Sequence, residues 1–312
     1  LIGKSPSITK LKEQIKRLSL TESRIFIFGP AGSGKELVAR KIHKNSNRAK
    51  KSLIILNGAL LDPEKYELEL FGSENNDGTI LYGALEKASN GILLIDEVSE
   101  IPLETQAKIL RVLTDQKFKR LNGNHDINVN VRIICTSSKN ISKEIEDGNF
   151  REDLYHRLNV VPINLEPLKN RTEDIPLLID YFSRTISYSY GVPKFEIDTN
   201  NLYLFEYDWP GNVRELRNLV ERIAILSPNE KNENINMIIN ESLKKVSINK
   251  SDISEKNFSF PLKEARENFE KSYLTLQLKK FKGNISKTAD FVGMERSALH
   301  RKLKTLGIKG IN

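Results

Sequence analysis

The apolar positions of the first 167 residues come in short unbroken runs, separated by stretches at helical spacing. Leu11, Ile15 and Leu18 recur every three or four residues and predict an amphipathic helix over Ile8–Leu18. Ile25–Phe28, Leu53–Asn57, Gly91–Ile95, Val131–Thr136 and Val160–Ile163 are largely apolar without alternation. That pattern predicts strands covered on both faces. Between them, Leu103–Thr114 places Ala107, Leu110 and Leu113 on one side of a helix. Strands alternating with helices imply an α/β fold, a doubly wound parallel sheet.

After Pro167 the texture changes. Ile175–Tyr188, Thr199–Tyr207 and Val213–Leu226 read as helices with no strand pattern between them, an all-α lid over 168–227 packed on the α/β part at 1–167. Residues 228–260 are rich in Asn, Lys, Ser and Glu and read as a polar linker around one short helix. From 261 to 312 the pattern is helical again. Leu262–Phe281 carries apolar residues at helix spacing, Gly283-Asn284 ends it, and Ile285–Val292 and Glu295–Leu306 flank the turn Gly293-Met294. Two short helices about a glycine turn match a helix-turn-helix. Leu299, Leu303 and Leu306 share one face of the second helix. Ser297, His300, Arg301 and Lys304 lie opposite, with Arg296 near its N-terminal end. Such a face fits the major groove of double-stranded DNA, although a three-helix protein-interaction bundle has the same periodicity.

Charge favours the first of these. The chain of 312 residues is 38% hydrophobic and 29% charged, with a net charge of +8. Pro261–Asn312 holds nine Lys and three Arg against four Glu and one Asp, so nearly all the excess lies in the last unit. A compact basic unit is the electrostatic footprint of nucleic-acid binding. No apolar run approaches the roughly twenty residues of a membrane span, and no secretory signal is visible. The single Cys135 sits in an apolar strand and excludes an internal disulfide framework, which agrees with a cytoplasmic setting. The chain begins at Leu1 rather than methionine, and further sequence is expected upstream.

The chemistry concentrates behind the first strand. There Gly29-Pro30-Ala31-Gly32-Ser33-Gly34-Lys35 interrupts the apolar run, and Glu36–Ile42 resumes at helical spacing. Strand, Gly-x4-Gly-Lys and helix form a P-loop. Without Cβ atoms, successive backbone N–H groups converge on phosphate oxygens; the helix N-terminus adds partial positive charge, and Lys35 reaches the β- and γ-phosphates of ATP. Glu36 stands where Ser or Thr usually touches Mg²⁺, so the metal must lean on other ligands. About sixty residues on, Gly91–Ile95 ends in Asp96-Glu97, the Walker B arrangement. Asp96 would hold Mg²⁺ and Glu97 would polarise the attacking water. Taken singly, these features are a glycine-rich turn and two helix-capping carboxylates; taken together, they predict ATP binding.

With these residues named, the chain resembles the bacterial enhancer-binding proteins, the nitrogen-regulation type of AAA+ transcription regulator. Glu69-Leu70-Phe71-Gly72, Leu94-Ile95-Asp96-Glu97, Phe150-Arg151-Glu152-Asp153-Leu154-Tyr155-His156-Arg157-Leu158 and Trp209-Pro210-Gly211-Asn212-Val213-Arg214-Glu215-Leu216 look like that family's signatures. The tail from Gly283 to Gly307 is similar to its Fis-type DNA-binding domain, and Met294–Lys304 looks like that of a two-component response regulator. The resemblance implies an AAA+ core with α-helical lid. Arg151 and Arg157 match arginines presented to the ATP of a neighbouring subunit, Arg214 matches the sensor arginine of the lid, and Asn57 matches the residue that holds the catalytic glutamate, here Glu97, in reserve. Read without the motifs, each arginine is a surface ion pair.

Two departures shape the functional expectation. The family's Gly-Ala-Phe-Thr-Gly-Ala loop, which engages sigma-54, is replaced after Gly72 by the shorter Ser73-Glu74-Asn75-Asn76-Asp77-Gly78-Thr79-Ile80-Leu81-Tyr82-Gly83. Ser137-Ser138 stands where the family has Thr-Asn at its first sensor, which implies slowed rather than abolished hydrolysis. The expectation is a DNA-binding regulator that dimerises through Leu262–Phe281, meets RNA polymerase without sigma-54, and answers a sensor kinase through an upstream receiver domain. Alternatives are a sigma-54 activator, a replication-initiator-like ATPase tethered to nucleic acid, and a nucleotide-binding scaffold that never hydrolyses ATP.

Overall fold

The computed structural model describes residues 1–75, 77–192, 195, 197–199, 201–226, 235–243 and 284–307, with 270, 271, 273–275, 277, 278 and 281. Two compact units divide it, Leu1–Glu241 and Ser242–Asn312. In the first, the strands are β1 (Ile25–Phe28), β2 (Leu53–Asn57), β3 (Gly72–Glu74), β4 (Ile80–Tyr82), β5 (Ile92–Asp96), β6 (Lys117–Phe118), β7 (Ile127–Asn128), β8 (Arg132–Ser137) and β9 (Val161–Asn164). Five of them form a parallel sheet in the order β2-β5-β8-β1-β9; β3 with β4 and β6 with β7 make two small antiparallel hairpins.

The unbroken apolar runs are explained by burial on both faces. Ile25 and Ile27 of β1, Ile92 and Leu94 of β5 and Ile134 of β8 pack against Ile8, Leu11 and Ile15 of helix α1 (Pro6–Ser19) and Val38 and Ile42 of α2 (Lys35–Lys44). Their neighbours Phe26, Leu93, Ile95 and Cys135 point the other way, into a cluster with residues of α3 (Tyr66–Phe71), α4 (Ala84–Lys87), α5 (Leu103–Asp115), α6 (Ile141–Glu146) and α7 (Glu152–Leu158). A period of two with both phases apolar thus becomes one sheet between two layers. Pro162, which donates no ladder hydrogen bond, is tolerated because β9 lies at the sheet edge.

The lid consists of α8 (Ile175–Tyr190), α9 (Tyr203–Glu206) and α10 (Asn212–Leu226). The expected helix over Thr199–Tyr207 shrinks to one turn. The Asn201 side chain accepts from Tyr203 N and starts it late, and Tyr207 is already extended. Trp209 is fully buried, with Nε1 donating to Leu204 O at 2.9 Å, and this fixes the turn into α10. At the other end of the unit, the carboxylate of buried Asp174 accepts from Lys4 N, Ser5 N and Ser5 Oγ, which ties the chain start to the lid.

Most of the expected linker at 228–260 lies outside the described residues; within it, 235–243 is helical. Much of Leu262–Phe281, the expected dimerisation helix, also lies outside them. Its described residues bury Leu274 and Leu278 rather than Tyr273, which is exposed. In the second unit the Asn284 side chain caps the helix Ile285–Val292 by accepting from Lys287 N, and Gly293 at φ 72° ends it. The helix Arg296–Thr305 buries Leu299 and Leu303 against Leu274, Leu278 and Ala289.

Candidate functional site

The P-loop leaves β1 at Gly29 and enters α2 at Lys35, with Gly34 as cap at φ 105°. The first-turn N–H groups of α2 have no intrahelical acceptor, so they are donors for an anion. Gly32, at φ 74°, is required twice over: a Cβ there would lie 2.2 Å from Gly211 O of the lid. Asn212 holds the same contact from the lid side. Its Nδ2 donates to Ala31 O at 2.9 Å and its Oδ1 accepts from Leu168 N at 2.8 Å. Arg214 donates its backbone N–H to Gly32 O, and its side chain is exposed along the cleft. The quoted motif contained Asn212, but only the geometry reveals it as the bridge between lid and loop.

Lys35 is buried, and its Nζ donates to Gly29 O at 2.9 Å and meets Glu97 Oε1 at 3.0 Å. Glu97 sits in the left-handed region at φ 54°, a conformation that non-glycine residues seldom hold without support. Neighbouring strands supply that support: Glu97 N donates to Thr136 Oγ1, and Glu97 Oε2 accepts from Ser138 N at 2.7 Å and Ser138 Oγ at 2.8 Å. Burial works to raise the pKa of this carboxyl, but the hydrogen bonds from Lys35 and Ser138 outweigh it and hold the group below the ordinary glutamate value.

Asp96 Oδ1 accepts from Thr136 Oγ1 at 2.6 Å. Asn57 stands beside Asp96 in the β2–β5 register, and its Nδ2 lies 3.5 Å from Asp96 Oδ2. The structure therefore pairs Asn57 with Asp96, while Ser138 and Lys35 engage Glu97. The reason is register: a strand neighbour of residue 96 faces that residue, not the next. Ala31, Gly32, Gly34, Lys35, Glu36, Asn57, Asp96, Glu97 and Arg214 thus line a cleft of about 770 Å³ at the carboxyl ends of the strands, where Phe182 and Arg217 of the lid join them, while Gly29, Pro30 and Ser33 lie behind its surface. Glu36, in the first turn of α2, is exposed and pairs with Arg40 at 2.7 Å.

Arg151 and Arg157 are not part of this cleft. Arg151 forks onto Asp153 at 3.0 and 2.7 Å, and Arg157 donates to Leu113 O at 3.3 Å. Both are exposed at the two ends of α7. In the second unit, Arg296, Ser297, His300, Arg301 and Lys304 are all exposed opposite Leu299 and Leu303. The sequence-derived helix face is present as read.

Comparison with known proteins shows the family. Residues 1–164 match the Sigma-54 interaction domain, 169–255 the AAA+ ATPase lid domain, and 265–306 the bacterial regulatory protein Fis family. The nitrogen assimilation regulatory protein NtrX of Azorhizobium caulinodans is 45% identical over 99% of this chain. The chain belongs to the bacterial enhancer-binding proteins, the AAA+ regulators of transcription. It spans 69% of the length of the Azorhizobium protein and 66% of that of a Rickettsia felis relative described as a putative response regulator NtrX-like. NtrX of Brucella abortus, crystallised with ATP, is 46% identical and superposes with a TM-score of 0.76, covering 98% of this chain and 69% of that one. The same protein was crystallised with ADP.

In this enhancer-binding protein the segment after Gly72 is short and closed on itself. β3 and β4 pair as a hairpin, Gly72 with Tyr82 and Glu74 with Ile80. Asn75 N donates to Thr79 O at 2.9 Å, and Thr79 N donates to Asp77 Oδ1 at 2.9 Å, which closes the turn. Arg120 clamps the hairpin base through Glu74 and Glu86, with its guanidinium over the Tyr82 ring. Ile80, Leu81 and Tyr82 stay exposed.

Proposed function

We propose that this chain is a DNA-binding response regulator whose AAA+ core binds ATP and acts without engaging sigma-54. One observation carries the reading: the chain combines a cleft lined by the P-loop and by Asp96 and Glu97 with a short hairpin that is closed on itself. A loop that reaches a partner needs length and an apolar tip, and this one has five residues between its strands, all outside any apolar run.

ATP is the substrate, with its phosphates on the first-turn N–H groups of α2 and on Lys35. Ser33 Oγ, buried without a hydrogen-bond partner, is a further polar atom available beside the loop. Mg²⁺ suits Asp96, since this small hard ion takes one or two carboxylates and completes its shell with phosphate oxygens and water. When bound, it neutralises charge between the terminal phosphates. Glu97 orients the attacking water once Lys35 turns to phosphate, and Arg157 or Arg151 of one copy meets the ATP of the next. Arg296, Ser297, His300, Arg301 and Lys304 read a DNA operator as a dimer or larger assembly. An upstream receiver domain couples the chain to a sensor kinase, and RNA polymerase takes its output.

Two measurements test this. Footprinting on operator DNA is expected to show protection that Arg301→Ala removes; protection that survives the change refutes the DNA face. ATP turnover per subunit is expected to climb with protein concentration and collapse in Arg157→Ala. Absence of turnover with ATP bound would make the nucleotide a structural ligand. The match of 1–164 to the Sigma-54 interaction domain favours a second reading, a sigma-54 activator with a short loop. ATP-dependent open-complex formation on a sigma-54 promoter decides for it.

A further inference from the structure

At the amino ends of the strands, away from the nucleotide cleft, lies a second cavity of about 530 Å³. Its lining comes from the residues that enter β1, β8 and β9 and from the end of α5, and it includes Arg24, Arg132 and Arg157. Arg132 is buried and donates to the carbonyls of Leu18, Ser19 and Ser23. Arg157 makes one hydrogen bond among the described residues, to Leu113 O. The half-buried Arg24 guanidinium makes no hydrogen bond and no ion pair with a described residue. The carboxylate in the lining, Glu22, is already bridged to Arg48 at 2.8 Å. Burial, and after it the charge of Arg157, lowers the pKa of Arg24, so two like charges share the space. Arg132 is spent on backbone carbonyls, which leaves Arg24 and Arg157 as two guanidiniums without a free counter-charge among the described residues, and the planar fork of arginine suits phosphate.

The position indicates where that anion comes from. The cleft occupies the carboxyl ends of the same parallel sheet, and β1 runs from Arg24 at one end to Gly29 at the other. A head-to-tail contact between two copies would set the amino-end cavity of one over the carboxyl-end cleft of the next, the heterologous arrangement that generates rings. We propose that this cavity is an anion site completed by a second copy, in which Arg24 joins Arg157 on the terminal phosphate of nucleotide held in the neighbour's cleft. The proposal rests on the trans reading of Arg157 given above. Since Arg24 and Gly29 flank one strand, each nucleotide would be felt by the P-loop of the chain that reaches over it.

The test is sedimentation velocity of the full chain with a slowly hydrolysed ATP analogue, alongside titration of a fluorescent ATP analogue at concentrations where the chain is monomeric. The expected result is that Arg24→Ala keeps the monomer's nucleotide affinity within about twofold but requires about tenfold more protein to associate, with Arg24→Lys in between. Equal melting temperatures exclude misfolding as the cause. If Arg157→Ala loses association while Arg24→Ala matches the wild type, the role of Arg24 is refuted and the reading of Arg157 stands. If neither change matters, or if the wild type never associates, the trans reading itself falls. Loss of monomer affinity in Arg24→Ala would place its effect within one chain and overturn the proposal. So would inorganic pyrophosphate that raises the melting temperature of the wild-type monomer but not of Arg24→Ala, since the cavity would then take a free anion.

Discussion

The two ends of the central sheet are built on opposite principles. At the carboxyl ends the charged groups of the cleft answer one another: Lys35 meets Glu97, Glu97 is capped by Ser138, and Asp96 accepts from Thr136. At the amino ends Arg24 faces another cation, and the nearby Glu22 is engaged by Arg48. One end pairs Lys35, Glu97 and Asp96 within the chain, whereas at the other Arg24 has no partner among the described residues. A buried polar group is costly when its partner is removed, whereas a group that never had one loses little on replacement. The two ends should therefore respond to mutation in opposite ways.

The largest effect is expected at the lid contact of the complete end. Asn212→Ala leaves Leu168 N and Ala31 O without their side-chain partner, at about 1–3 kcal/mol for each buried group, and urea unfolding should show it. Unchanged stability would mean that the lid and loop are held by other contacts. Next comes Lys35→Ala. Loss of a charge-assisted hydrogen bond of about 1.5–3 kcal/mol should weaken fluorescent-nucleotide binding roughly ten- to a hundredfold. Smaller still is the pH response of Glu97. Its folded-state pKa is depressed, so its contribution to stability is present above the ordinary value of 4.5 and is lost as pH falls through the lowered one. Glu97→Gln should flatten the stability profile in that acid window and leave the slope at neutral pH alone. The smallest effect is expected at the incomplete end, where Arg24→Met should change stability by no more than about 0.5 kcal/mol. A large loss there would show that Arg24 has a structural partner and would erase the contrast.

How far the sequence foretold this depends on the length over which each signal is read. The five sheet strands and helices α1, α5, α8 and α10 were legible within one or two residues, because apolar runs and helical periodicity are local patterns repeated several times. The P-loop and Asp96-Glu97 were legible because strand, turn and helix chemistry stand side by side in the chain. The β3–β4 hairpin was legible only as a shortened segment after Gly72, since three-residue strands carry almost no periodic signal. The partners of Glu97 were not legible either. Ser138 lies 41 positions away, and it reaches the carboxylate only because β5 and β8 are neighbours in a sheet order that the chain does not spell out. Arg24 was passed over for the same reason: its meaning lies in what surrounds it, not in what adjoins it.

Cys135 has a practical consequence of its own. It is the only cysteine in the chain, it sits in β8 between β5 and β1, and burial raises its pKa well above the ordinary thiol range. A maleimide dye cannot reach it until the sheet itself parts. Labelling kinetics would therefore time the opening of the nucleotide domain from a reporter that nature has already installed, with no engineered tag and no competing thiol to subtract.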